Sequence, residues 1–127
     1  MIVCAVDDLI FSVKISTAAK ALGATVFFER SADMVLPRIR EKQPALVIFD
    51  LNSGKLRPLE LIAQMQGDPA LSGIRTLGYV SHVQTDVIAA ARRAGIDEVL
   101  ARSAFSERLG EILSAPSTRP AGPAPAE

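Results

Sequence analysis

Ala45-Leu-Val-Ile-Phe-Asp50 is an unbroken apolar run that stops on a carboxylate. Pro44 precedes it, and the polar stretch Asn52-Ser53-Gly54-Lys55 lies just beyond Leu51. A run of this length and kind reads as a strand buried on both faces. Such strands occupy the middle of parallel sheets, which take their ligands outside the carboxyl ends of the strands. Asp50 is therefore either the chemical centre of the molecule or a plain loop carboxylate at a strand end.

The rest of the chain supplies the partners such a strand needs. Ile2–Val6, Ala24–Phe28, Thr76–Val80 and Glu98–Ala101 read as further strands. Between them lie helical patterns. Phe11 to Leu22 places Phe11, Ile15, Ala18, Ala19 and Leu22 on one inward face, with Gly23 as the stop. Ser31 caps a helix running to about Glu41, made irregular by Pro37. Pro58 opens a third helix, Gln84 to Ala94 forms a fourth closed by Gly95, and Ala104 to Leu113 forms the last. Strict alternation of strand and helix requires a parallel sheet with right-handed crossovers. The expected fold is a single α/β domain, a doubly wound parallel (βα)5 sheet in the order 2-1-3-4-5. It covers residues 1–114. The Pro/Ala-rich residues 115–127 cannot bury a core and are expected to be a disordered tail.

Charge and composition exclude several functions. Lys plus Arg number 14 and so do Asp plus Glu, so no net field recruits nucleic acid or an anionic membrane. Aromatic residues are 5% and Trp is absent, which leaves no stacking platform for bases. The one cysteine, Cys4, sits inside an apolar run and reads as a buried, inert thiol. No apolar run approaches the ~20 residues that span a bilayer, and Asp7 comes too early for a signal peptide. A soluble, cytoplasmic setting is the expectation.

The topology would gather Asp7, Asp8, Asp50, Asn52, Val80, Ser81 and Arg102 at one crevice. Carboxylates at close range repel, and hard oxygen ligands of this kind suit magnesium. A carboxylate beside bound magnesium can act as a nucleophile toward a phosphoryl group. Simpler roles compete: Asp8 suits a helix cap, and Arg102 a surface charge.

Val47-Ile-Phe-Asp50-Leu-Asn52 with Pro58-Leu-Glu-Leu-Ile62, and Val80-Ser-His82 with Ala90-Ala-Arg-Arg-Ala-Gly95-Ile-Asp-Glu-Val-Leu100, resemble the response-regulator receiver domain of two-component signalling. The resemblance implies a flavodoxin-like fold and magnesium binding. It also implies phosphotransfer from a histidine kinase to Asp50, and a switch on the face of the fourth helix, fifth strand and fifth helix. Asn52 matches the position whose backbone carbonyl binds the metal. Asp7-Asp8 looks like the family's acid pair; aligned on the first helix, Asp7 is the second acid and Val6 stands at the first. Without gaps Val80 takes the place of the family's hydroxyl, whereas a one-residue shift assigns Ser81. Arg102 replaces a lysine, Ser103 a proline, and Val99 the switch aromatic. Arginine, a planar fork, could hold Asp50 in a standing ion pair.

The expected function is a stand-alone receiver-like domain with a partly eroded phosphoacceptor site, not an enzyme. It would dock a protein partner, a histidine kinase or a second copy, through that switch face, with magnesium binding weakened. Two alternatives stay open: a conventional magnesium-dependent receiver phosphorylated on Asp50, and a small α/β enzyme or ligand-binding module. The last lacks a glycine-rich phosphate loop after the first strand, where Asp7-Asp8-Leu9-Ile10 stands. His82, the only histidine, reads as a loop residue.

Overall fold

The computed structural model describes residues 1–81 and 84–116. The expectations for His82 and for residues 117–127 fall outside the described residues. Five strands and five helices alternate: β1 (Ile2–Ala5), α1 (Leu9–Leu22), β2 (Val26–Phe28), α2 (Ala32–Lys42), β3 (Leu46–Asp50), α3 (Pro58–Gln66), β4 (Arg75–Val80), α4 (Thr85–Ala94), β5 (Glu98–Ala101) and α5 (Arg102–Ser114). The strands form one parallel sheet in the order β2-β1-β3-β4-β5, as the alternation requires.

The sheet divides the core in two. Alternate residues of each strand point to opposite faces. Val3, Val47, Phe49 and Val80 pack under α2, α3 and α4; Ile2, Cys4, Ile48 and Tyr79 pack under α1 and α5. The central strands β1, β3 and β4 are buried throughout, while the edge strands β2 and β5 are only partly covered. Burial pushes the Cys4 thiol up to about 12, which keeps it protonated and unreactive at neutral pH. Gly78 does not break β4. The side chain of Leu51 lies over it, and an added Cβ would stand 2.8 Å from the Leu51 Cγ. Only glycine leaves that room.

Several boundaries and faces differ from the sequence expectation. α1 begins two residues earlier, at Leu9, because Asp8 caps it. Its buried side is Phe11, Ser12, Ile15 and Ala19; Leu22, expected inside, is 48% exposed beside the Gly23 turn. In α2 Val35 and Ile39 are buried but Met34 is exposed, and the helix runs through Pro37 without a break. α5 starts at Arg102, not Ala104, so that arginine belongs to the first turn of a helix.

Candidate functional site

Asp50 closes β3 at the carboxyl edge of the sheet, with Tyr79 beside it on β4. Its carboxylate is buried, and its Oδ1 accepts the backbone N–H of Asn52 at 3.0 Å. The β1–β3 ladder pairs Ala5 with Phe49, so the next position opposite Asp50 is Val6, an apolar residue sealed in the core. Asp7 and Asp8 follow outside the strand.

Each acid already has an internal partner. Asp8 stands at the N-cap of α1, where its Oδ1 accepts from the N–H groups of Ile10 (2.9 Å) and Phe11 (3.3 Å). Two donors left over at the helix start are thereby satisfied. Its Oδ2 lies 3.4 Å from a terminal nitrogen of Arg102. Asp7 Oδ1 lies 3.7 Å from the Lys55 ammonium. The sequence suggested an Arg102–Asp50 pair; the carboxylate that Arg102 contacts is Asp8. The reason is the early start of α5, which aims the guanidinium at the first turn of α1 and over the Phe11 ring, 4.9 Å from its centroid.

Burial raises the Asp50 pKa above the ordinary carboxylate value, against the lowering effect of the Asn52 N–H. The Asp8 charge adds to the rise, Arg102 opposes it, and Asp7 adds slightly. A raised pKa in the folded state means that folding favours the protonated acid. Its stabilising contribution is complete below the unfolded carboxylate value and is lost as pH climbs through the folded one. Asp50→Asn is therefore expected to be more stable than the parent at pH 7, with the difference shrinking toward pH 3. Urea midpoints across that range check it; a parent that gains on the variant as pH rises would contradict it.

Asn52 ties the crevice together. Its Oδ1 accepts the Ser81 N–H and its Nδ2 donates to Gln84 Oε1, both at 2.6 Å. The carboxamide thus joins the ends of β3 and β4 to the start of α4. Val80 is buried against Ala91 and Ile96, and Val99 packs on the same cluster. Ser81 is exposed and borders a cleft of about 530 Å³ between α1 and α5, shared with Lys14, Arg102 and Ser106. Lys55 and Gln84 were not singled out from sequence as site residues. Only Lys55 carried a signal, as a cation in the loop after the central acid.

Tyr79 lies beneath the crevice, stacked on Phe105 (centroids 4.8 Å apart) and tilted against Phe11 (5.0 Å). Its hydroxyl is buried and has no hydrogen-bond partner among the described residues. Burial, reinforced by the Asp50 and Asp8 charges, holds that hydroxyl firmly protonated.

The oxygen donors are of the type a divalent cation takes, but basic side chains already pair with two of the carboxylates. Among the described residues, no three His, Cys, Asp or Glu side chains are gathered closely enough to hold an ion. Asp8 already has both oxygens engaged, and Arg102 and Lys55 supply the positive charge an ion would bring.

No protein-family model and no curated protein matches the sequence. Solved structures do. A response regulator from Hahella chejuensis superposes with a TM-score of 0.80 at 16% identity, over 90% of this chain and 92% of that one. The Mn(2+)-bound form of response regulator Rcp1 gives 0.77 at 18% identity, over 94% and 98%. A response regulator protein from Burkholderia pseudomallei, with a phosphorylated aspartic acid, calcium ion and citrate, gives 0.74 at 20% identity, over 91% and 67%. The fold is that of a response-regulator receiver domain. In this receiver fold Asp50 ends the central strand, and the acids after β1 and Arg102 at the start of α5 surround it. No helix among the described residues is long and apolar enough to cross a membrane.

Proposed function

We propose that this chain is a receiver-like module of two-component phosphorelay signalling. Its phosphoacceptor site is partly eroded, and it works by docking a protein partner, not as an enzyme. The observation that carries this reading is the self-neutralised crevice: Arg102 on Asp8 and Lys55 on Asp7, with both oxygens of Asp8 in use. In this reading Asp50 is the phosphoacceptor, and Asp7, Asp8 and Asn52 are the groups left to hold a metal. Relatives of the same fold carry manganese in one case, and calcium with a phosphorylated aspartic acid in another. Here a magnesium ion would have to displace an arginine and a lysine before it reached its ligands, so its binding is weakened. The phosphoryl-contacting and switch positions are changed as well. Arg102 is a planar fork in place of a compact ammonium. Val80 is a sealed apolar side chain, and Val99 packs into the core in place of an aromatic. Ser81 is left as the nearest hydroxyl to the end of β4.

Intact mass after incubation with magnesium and acetyl phosphate tests this, with Asp50→Asn in parallel. Neither protein is expected to gain a phosphoryl group. A labile adduct on the parent that is lost in the variant would overturn the erosion and establish a conventional magnesium-dependent receiver phosphorylated on Asp50.

A further inference from the structure

A cleft of about 270 Å³ opens between α2 and α3, on the face of the sheet away from α1 and α5. Leu56 and Leu61, both buried, form its floor together with Leu36 and Pro37. Two acids and two arginines stand around its rim: Asp33 and Arg40 from α2, Arg57 and Glu60 at the start of α3. The formal charge of the rim is therefore zero, with both signs present.

The two ends of the cleft differ. At the last turns of the helices Arg40 closes on Asp68 at 2.8 Å, a formed salt bridge. At the first turns Arg57 stands between Asp33 (4.0 Å) and Glu60 (3.9 Å), and both gaps are beyond hydrogen-bond reach. Among the described residues the Arg57 guanidinium makes no hydrogen bond, and neither do the carboxylates of Asp33 and Glu60. The backbone that holds Arg57 there is strained. Its φ of 48° and ψ of 59° lie in the left-handed region, just before Pro58. Glycine takes that conformation without steric cost; arginine does not. Outliers of this kind cluster at ligand clamps.

Opposite charges that face each other without a bond match a ligand that carries both signs. A lone anion would be repelled by Asp33 and Glu60, and a lone cation by Arg57. A zwitterion between them turns the loose contacts into charge-assisted hydrogen bonds on both sides. The apolar floor calls for an apolar group beside the two charges. The volume lies below the ~300 Å³ at which pockets for drug-sized ligands begin, so the ligand is small.

We propose that the α2/α3 cleft binds a free apolar α-amino acid. Its carboxylate takes the Arg57 guanidinium, its ammonium takes Glu60 and Asp33, and its side chain rests on Leu56 and Leu61. The cleft shares no residue with the Asp50 crevice, and the proposal stands whatever acetyl phosphate does there.

L-leucine is the probe, titrated into the full chain and followed by backbone amide shifts. Three analogues each lack one feature: isocaproate the ammonium, isoamylamine the carboxylate, and glycine the apolar side chain. L-leucine is expected to give saturable shifts in residues 32–40 and 56–64. Each analogue is expected to bind about tenfold more weakly, or less. Arg57→Gly is expected to weaken L-leucine about tenfold, with a urea midpoint at or above that of the parent because glycine relieves the left-handed turn. Glu60→Gln is expected to weaken L-leucine as well, yet to bind isocaproate at least as well as the parent does, since that acid has no ammonium to lose. No saturable shift with L-leucine, shifts outside the two helices, or an analogue that equals L-leucine would overturn the proposal. So would an Arg57→Gly or Glu60→Gln variant that binds L-leucine like the parent.

Discussion

Glu98→Ala is expected to cost about 3–5 kcal/mol of folding stability, because it strands a buried cation. Glu98 opens β5 and Arg75 opens β4, at the amino ends of the strands and away from the crevice. Arg75 is buried, and its guanidinium contacts Glu98 Oε1 at 3.1 Å and donates to the Pro116 carbonyl at 3.0 Å. Its Nε already lacks a partner among the described residues. Arg108, at 2.7 Å, holds the other oxygen of Glu98. With the carboxylate gone, the buried guanidinium loses its ion-pair partner and keeps only the Pro116 carbonyl among the described residues. Replacing the pair together, as Arg75→Met with Glu98→Leu, is expected to recover most of the loss, since paired apolar groups avoid the desolvation of both ions. Urea unfolding of the single and double variants decides it. A single variant within about 1 kcal/mol of the parent would mean that Arg75 finds water or another acceptor.

Phe105→Ala is the second large effect, again about 3–5 kcal/mol, for a different reason. Phe105 is fully buried and stacks on both Tyr79 and Phe11 (centroids 5.9 Å apart). The three rings join α5, β4 and α1, so truncation opens a cavity where three elements meet. Tyr79→Phe in the same stack is expected to be neutral or to stabilise by up to about 1 kcal/mol, since it removes a buried hydroxyl that makes no hydrogen bond among the described residues. If Tyr79→Phe instead destabilised by more than that, the hydroxyl would have a partner in solution. Thermal and urea unfolding of both variants give the comparison.

The strand order and the position of Asp50 could be read from the sequence because they follow from coarse regularities. Those are apolar runs of strand length, helical spacing between them, and the strictness of the alternation. What sequence reading missed depends on where helices begin. Asp8 was weighed as a cap or a ligand, and the cap starts α1 at Leu9, which leaves Leu9, Ile10 and Val13 outside. Leu22 fits the apolar period but falls in the last turn, where α1 runs out beside Gly23. Arg102 was read as a strand-end residue; as the first residue of α5 it faces Asp8. Gln84 and Lys55 lie in or beside connections whose path no periodicity fixes, so their contacts with Asn52 and Asp7 emerge only in three dimensions. The α4-β5-α5 switch face was expected from family resemblance, and no exposed large apolar side chain marks it among the described residues.

Asp8 fastens the first turn of α1 with one oxygen and the first residue of α5 with the other. One side chain thereby sets the start of both helices. Arg102, held by that carboxylate, is also a cation whose field favours the Asp50 anion, so a movement of its guanidinium away from the crevice tightens the hold of Asp50 on its proton.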